Sequence, residues 1–446
     1  MLAALSLSWL YVAGLGAAPA LALGPAVPDK ERGSPHLLAA VWSFGLCINY
    51  ALALAIGRLG PALALGAGLA LLLGLAALWR NRSWLRPPRP AGPVALALLL
   101  LVVLAAAILL DPLNDWDARI IWFFQGKMIF FAGEISPGIG LRLPAVVHPD
   151  YPKLVPLLAA ETAAMVGFWN EYLPKLSLVL LLPVPVLALL SLRQRPLSLA
   201  LALSGFVAIP WQFINNGSMD GYLALYAGAA ALFLADWLDG AGDSALLAAA
   251  GALGVAGGLK LEAEILYLAF GLAASALLLA GRLRLPRPSP AALLLLPLPF
   301  AGFVLWRALV WHWSLPVEHH PLETALMRLS QPHALRLIAE RVLLDPRVVV
   351  AALLAAGGLI LSRRCSAGLP AGAVLAVIAG LVYLAALCMV FLVYRGGRDI
   401  PGGLEMELAT AAGRLVRTAS ALLLVGTVVA LREVERWGAL GRRSGP

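Results

Sequence analysis

The chain has 446 residues, of which 61% are hydrophobic and only 13% charged, a balance that excludes a water-soluble fold and describes a polytopic membrane protein. Its net charge of +9 does not mark a nucleic-acid binder, because the arginines are scattered between apolar runs and form no solvated basic stripe with interleaved aromatics. Cys47, Cys365 and Cys388 lie in or beside apolar segments without the CxxC spacing of a metal or redox centre, so they read as packing residues.

The first apolar stretch, Met1 to Leu23, lacks a basic leader region and exceeds the ~7–15 apolar residues of a signal peptide, which makes it a retained first span. Further runs follow near 37–57, 61–79, 92–111, 172–192, 197–213, 218–238, 244–259, 262–280, 291–312, 347–362, 369–394 and 412–431. With the first, near 3–24, they predict an all-α single integral membrane domain over 1–446 with about 13 transmembrane helices. The basic connectors Arg80/Arg82/Arg86/Arg89, Arg193/Arg195, Arg282/Arg284/Arg287, Arg363/Arg364 and the tail Arg432/Arg436/Arg442/Arg443 all belong in the cytoplasm by the positive-inside rule. They agree on one topology: N-terminus outside, C-terminus inside, and external regions at 112–171, 313–346 and 395–411.

That agreement requires Leu154 to Phe168 not to span. The segment is short, carries Glu161 and follows Pro149 and Pro152, as an interfacial or re-entrant helix would. The run Gly251 to Gly258, rich in Gly and Ala, allows close helix approach, and no fixed-period repeat or separate soluble domain is visible.

The chemistry-bearing residues gather at the external mouths. Asp115-Trp116-Asp117 opens the first external region, and two carboxylates at the mouth of a span can share a proton, bind a cation or take a proton from a substrate. Ile120, Ile121, Phe124, Met128 and Phe131 then recur at helical spacing with Arg119, Gln125 and Lys127 on other faces, predicting an amphipathic surface helix. Next comes His148-Pro149-Asp150-Tyr151-Pro152-Lys153, whose prolines stiffen the chain and whose lysine faces either a phosphate or lipid headgroups. Asp220 lies at the mouth of a later span as a helix cap or a site residue, and Lys260, Glu262 and Glu264 interrupt two apolar helices at an external turn. Trp311-His312-Trp313 to Glu318-His319-His320 lacks HExxH spacing and reads as no metal centre, while Arg395, Arg398, Arg414 and Arg417 supply cations able to grip a phosphate bidentately.

The order of these pieces resembles the GT-C superfamily of membrane glycosyltransferases, above all the bacterial group related to the lipid A core and O-mannosyl transferases. The resemblance covers roughly 92–290, with a weaker echo to 417. Trp116-Asp117-Ala118 with Trp122 and Lys127 looks like the acidic motif of the first large external loop, and His148-Pro149-Asp150-Tyr151-Pro152 like its proline-rich interfacial helix. Met219-Asp220-Gly221-Tyr222 and Gly258-Leu259-Lys260-Leu261-Glu262 are similar to later family elements; in the C-terminal segment this chain has Gly413-Arg414 where such sequences usually carry Asp-Arg.

The resemblance implies transfer of a sugar from a polyprenyl-phosphate donor to a lipid, glycan or protein acceptor, usually with inversion, on the outer side of the bacterial cytoplasmic membrane. Asp117 is then the catalytic base with Asp115 beside it; Lys127, His148, Tyr151, Lys153, Asp220, Lys260, Glu262 and Arg414 bind substrate. The resemblance implies no particular cofactor, and a divalent cation at the external carboxylates is compatible with their chemistry; membrane lipids rather than nucleic acid are the expected surroundings. A transporter or flippase of a lipid-linked saccharide, or a non-catalytic assembly subunit, is the alternative.

Overall fold

The computed structural model describes residues 2–23, 34–80, 92–113, 115–135, 148–208, 214–315, 322–365, 368–393 and 403–441. It is 82% helical and has no strand among the described residues. The helices in order are α1 (Leu2–Leu15), α2 (Ala18–Leu23), α3 (Pro35–Ile56), α4 (Leu59–Arg80), α5 (Gly92–Leu110), α6 (Phe123–Ala132) and α7 (Leu154–Ala164). Next come α8 (Leu176–Leu180), α9 (Pro183–Ser191), α10 (Pro196–Ala208), α11 (Met219–Leu238), α12 (Asp243–Leu259), α13 (Ala263–Leu279), α14 (Pro290–Leu295) and α15 (Ala301–His312). The last are α16 (Leu322–Leu329), α17 (Pro332–Ile338), α18 (Pro346–Cys365), α19 (Ala371–Val393), α20 (Gly403–Glu407) and α21 (Gly413–Gly441).

Leu- and Ala-rich runs form these helices because straight or small side chains lose little freedom in a helix. Ser34 starts α3 by accepting the Leu37 N–H, with Pro35 in the first turn, and Ser289 starts α14 in the same way through the Ala292 N–H. Seven helical stretches are long and apolar enough to cross a membrane: α3, α4, α11, Pro290–His312, α18, α19 and Gly403–Trp437. Each of the other apolar runs is helical too, but α12 and α13 have 17 residues each and the run 172–192 breaks ahead of Pro183. Leu71, Leu72, Leu98, Val304 and Leu353 lie more than half exposed on these helices, as side chains that face lipid do.

The main core is a buried cluster running from Tyr11 to Ala430, with small satellites around Leu176, Trp237 and Ala351. Helix α21 packs on α10, α11, α18 and α19; α3 packs on α1, α9, α12 and α15. The Gly251–Gly258 run does bring neighbours close: a Cβ on Gly254 would stand 2.5 Å from the Pro299 carbonyl oxygen, and one on Gly258 2.7 Å from the Leu154 side chain.

Polar contacts sort into two ends. At one, the Gly57 and Gly133 helix caps exchange backbone hydrogen bonds with Ile135 and Leu59 at 2.9 Å, and Asn215 binds Asp111 at 2.7 Å. At the other, His36 meets Asp236 at 2.7 Å, Arg432 binds Asp239 at 2.6 Å and Ser198 donates to Glu435 at 2.6 Å. The described parts of 112–171 and 313–346 adjoin the first end; Arg193, Arg195 and Arg282 adjoin the second.

Two elements bear on the sequence expectations. Helix α7 is 11 residues, about 16 Å long, and lies across α3: the consecutive residues Asn49 and Tyr50 bind Glu161 near its end and the Lys153 N–H at its start. The amphipathic helix expected after Asp117 exists but with its faces rotated, since Gln125 is buried and Phe131 is 68% exposed. A π-helical turn at Ala118–Trp122 adds a residue to the first turn and shifts every later side chain, and Gln125 is turned inward to meet Lys153.

Candidate functional site

The π-helical turn starts immediately after Asp117, and a second one, Leu408–Ala412, ends just before α21. Wider turns loosen the regular hydrogen-bond ladder, and here the Thr410 carbonyl accepts the Arg414 Nε–H at 3.0 Å. Its Nη1 then donates to Asp117 Oδ2 at 2.5 Å and lies 3.7 Å from Asp220 Oδ2.

Asp220 is brought there by the turn before α11. Gly217 has φ +86°, and its Cα approaches so closely that a Cβ would stand 2.9 Å from the Ala118 Cβ. Asp220 accepts Ser218 Oγ at 3.0 Å on one oxygen and Lys260 Nζ at 2.8 Å on the other, and Lys260 also reaches Glu262 at 3.1 Å. Burial opposes the charge of Lys260, but Asp220 and Glu262 outweigh it and hold its pKa well above the usual lysine range.

Asp117, Arg414, Asp220, Lys260 and Glu262 therefore form one ionic chain drawn from four segments of sequence: three carboxylates and two cations, net −1 when all are ionised. Asp115 sits beside it and accepts the Ala118 N–H at 3.2 Å. Burial, followed by the charge of Asp117, raises the Asp115 pKa above the usual carboxylate value.

Tyr151 stacks on His148 at 4.6 Å between centroids, with Trp122 on its other side at 5.6 Å. His148 has φ +51°, a left-handed backbone that lets its carbonyl receive Gln125 Nε2 at 3.4 Å. Lys153 is buried: it donates to Gln125 Oε1 and to the Pro149 carbonyl at 2.9 Å, and stands 4.8 Å from the Trp306 ring centre. Burial lowers its pKa to about 7, against the pull of Asp150.

Of the residues picked out in sequence, Asp115, Asp117, Asp220, Lys260, Glu262 and Arg414 come together, with Tyr151 and His148 stacked nearby and Lys153 in its own buried niche. Lys127 stays apart, half-buried and 3.5 Å from Glu171, and Glu264 pairs with Arg307 at 3.0 Å. Glu318, His319, His320, Arg395 and Arg398 lie outside the described residues.

Sequence reasoning missed Gln125 as a site residue, Trp306, and the Asp345–Arg347 pair at 2.6 Å. A Cβ on Gly413 would stand 3.2 Å from the Arg347 guanidinium. The Asp-Pro-Arg preceding an apolar run was the pair's only local signal.

No family model, curated protein or solved structure matches this chain.

The chemistry must therefore be read from the side chains. Among the described residues no three His, Cys, Asp or Glu are grouped to hold a metal, and Asp117 and Asp220 are each paired with a cationic side chain. What the arrangement offers is a carboxylate pair, Asp115 and Asp117, beside cations that can exchange a carboxylate for an incoming phosphate.

Proposed function

We propose that the protein is a membrane glycosyltransferase of the GT-C type that moves a sugar from a polyprenyl-phosphate donor to an envelope lipid, glycan or protein acceptor, with inversion. The observation that carries this reading is the Asp117–Arg414–Asp220–Lys260 chain, which couples a carboxylate base to cations at one end of an apolar helical bundle. Arg414 leaves Asp117 to bind the donor phosphate, and the freed Asp117 takes the acceptor hydroxyl proton as the glycosidic bond forms. Phosphate is a good leaving group, so the cations stabilise its charge and no general acid is needed.

A lipid-linked donor is further supported by an apolar groove between α9, α10, α11 and α21. Helix α11 carries Asp220 at its start and Ala224 and Gly228 in the groove; α21 carries Arg414 and, farther on, Ala421 and Leu424. The concentration of ionisable groups at the two ends, rather than along mid-membrane helices, favours transfer at the surface over passage.

The reading includes about 13 spans, α6 and α7 as interfacial helices, and the site outside the cytoplasm of a bacterial inner membrane. Single cysteines at Asn81 and Ser136, in a background without the native three, test the orientation: a membrane-impermeant thiol reagent applied to intact cells is expected to label only the second. The opposite pattern overturns the topology. The reaction itself is tested by incubating purified protein with radiolabelled polyprenyl-phosphate sugars and extracted envelope acceptors; label in no acceptor with any donor of the panel counts against the transferase.

A further inference from the structure

A buried polar chain lies beneath the site. Tyr11 Oη donates to Asn49 Oδ1 at 2.7 Å, and Asn49 Nδ2 donates to Glu161 Oε2 at 2.7 Å. All three side chains are buried, and Glu161 Oε1 meets no hydrogen-bond partner among the described residues. The Tyr11 hydroxyl fills the space left by Gly66 of α4, where a Cβ would stand 2.1 Å from it. Because the Asn49 carbonyl is taken by Tyr11, its amide N–H groups must face Glu161, so the chain has a direction.

Burying these groups is costly in an otherwise apolar helix such as α7, and a fixed register is the return best attested for such a cost. The neighbouring residue shows what the register holds. Tyr50 Oη accepts the Lys153 N–H at 3.0 Å at the start of α7, while Asn49 holds Glu161 near its end.

We propose that Tyr11, Asn49 and Glu161 are a positioning clamp that sets α7 in one register across α3 and so holds Lys153 in its buried niche and Tyr151 beside the functional site. The purpose of the clamp rests on the site described above; the clamp itself is a property of α7 order.

Glu161 acts in the neutral form. Burial pushes its pKa up to about 8, although the Asn49 hydrogen bond lowers it. The sign follows from linkage: a folded pKa raised above the free value means that the grip is lost as pH rises through about 8. The other titratable groups around α7 include Tyr11 from α1, Tyr50 from α3, Lys175 from the turn before α8 (bonded to the Asp111 carbonyl), Asp150 and Lys153 itself, whose pKa lowered to about 7 makes its contribution rise with pH over the same range.

Hydrogen exchange of a peptide covering 150–165 in the purified full-length protein, corrected for the intrinsic pH dependence, tests this. In Lys153→Met, which removes the opposing titration of that lysine, the protection of α7 is expected to fall about tenfold between pH 6.5 and 9; adding Glu161→Gln is expected to keep full protection at both. Gly66→Ala, which displaces the Tyr11 hydroxyl, and Glu161→Leu are expected to lose protection already at pH 6.5. Wild-type protection in Gly66→Ala, or an undiminished fall when Glu161→Gln is added to Lys153→Met, overturns the clamp. Since neither readout uses turnover, failure to find any transferase activity leaves this result standing and removes only the functional reading.

Discussion

Replacing Asp117 by Asn is expected to lower sugar transfer ~10²–10⁴-fold, about 3–5 kcal/mol of barrier, with folding intact. Asn nearly preserves the volume of Asp and can still accept the Arg414 Nη1 hydrogen bond through its carbonyl, so the close contact at 2.5 Å has a neutral substitute. What disappears is the carboxylate that takes the acceptor proton. Arg414 is not stranded, because Asp220 remains 3.7 Å away. Rates are measured with a donor that the wild-type enzyme demonstrably uses. Undiminished transfer by a folded Asp117→Asn protein removes Asp117 as base and shifts the role to Asp115, whose raised pKa already favours proton acceptance. Asp220 is a poorer successor, being saturated by Lys260, Ser218 and Arg414.

Lys260→Met is expected to destabilise the fold by about 3–5 kcal/mol, because removing one member of a buried ion pair leaves the others uncompensated. Lys260 and Asp220 are both at least 96% buried at the side chain, so water cannot replace the lost partner. Asp220 keeps only Ser218 and the more distant Arg414, and Glu262 loses the cation at 3.1 Å. Thermal unfolding in detergent reads the loss. The double variant Lys260→Met with Asp220→Asn is expected to recover part of it, since the stranded charge is gone. A double variant no more stable than Lys260→Met alone contradicts the ionic account of this joint.

Some of this was legible residue by residue. Lys260 and Glu262 are two apart and interrupt two apolar runs, so their proximity follows from local chemistry. The short, proline-led, Glu161-bearing segment pointed to a helix too short to span, and α7 has that length. Other features left no local trace. The amphipathic reading of Ile120 to Phe131 assumed a regular 3.6-residue period, and one wider turn at Ala118–Trp122 was enough to turn Gln125 inward and Phe131 outward. Lys127 carried the right charge at a suggestive place and ended 3.5 Å from exposed Glu171.

The amino-acid sequence by itself determined the membrane class, the helical content and where the apolar runs begin and end, because hydrophobic length, prolines, caps and charge act within one turn or one connector. It also placed the ionisable groups at the mouths of those runs. Only the tertiary structure decided which of them meet. Asp117 and Arg414 are separated by 297 positions, and no periodicity or spacing encodes a contact made by packing α11, α13 and α21 around a common end. The same packing gave Glu161 its partner 112 positions earlier on α3, turning a lone acid in an apolar helix into part of a directed polar chain.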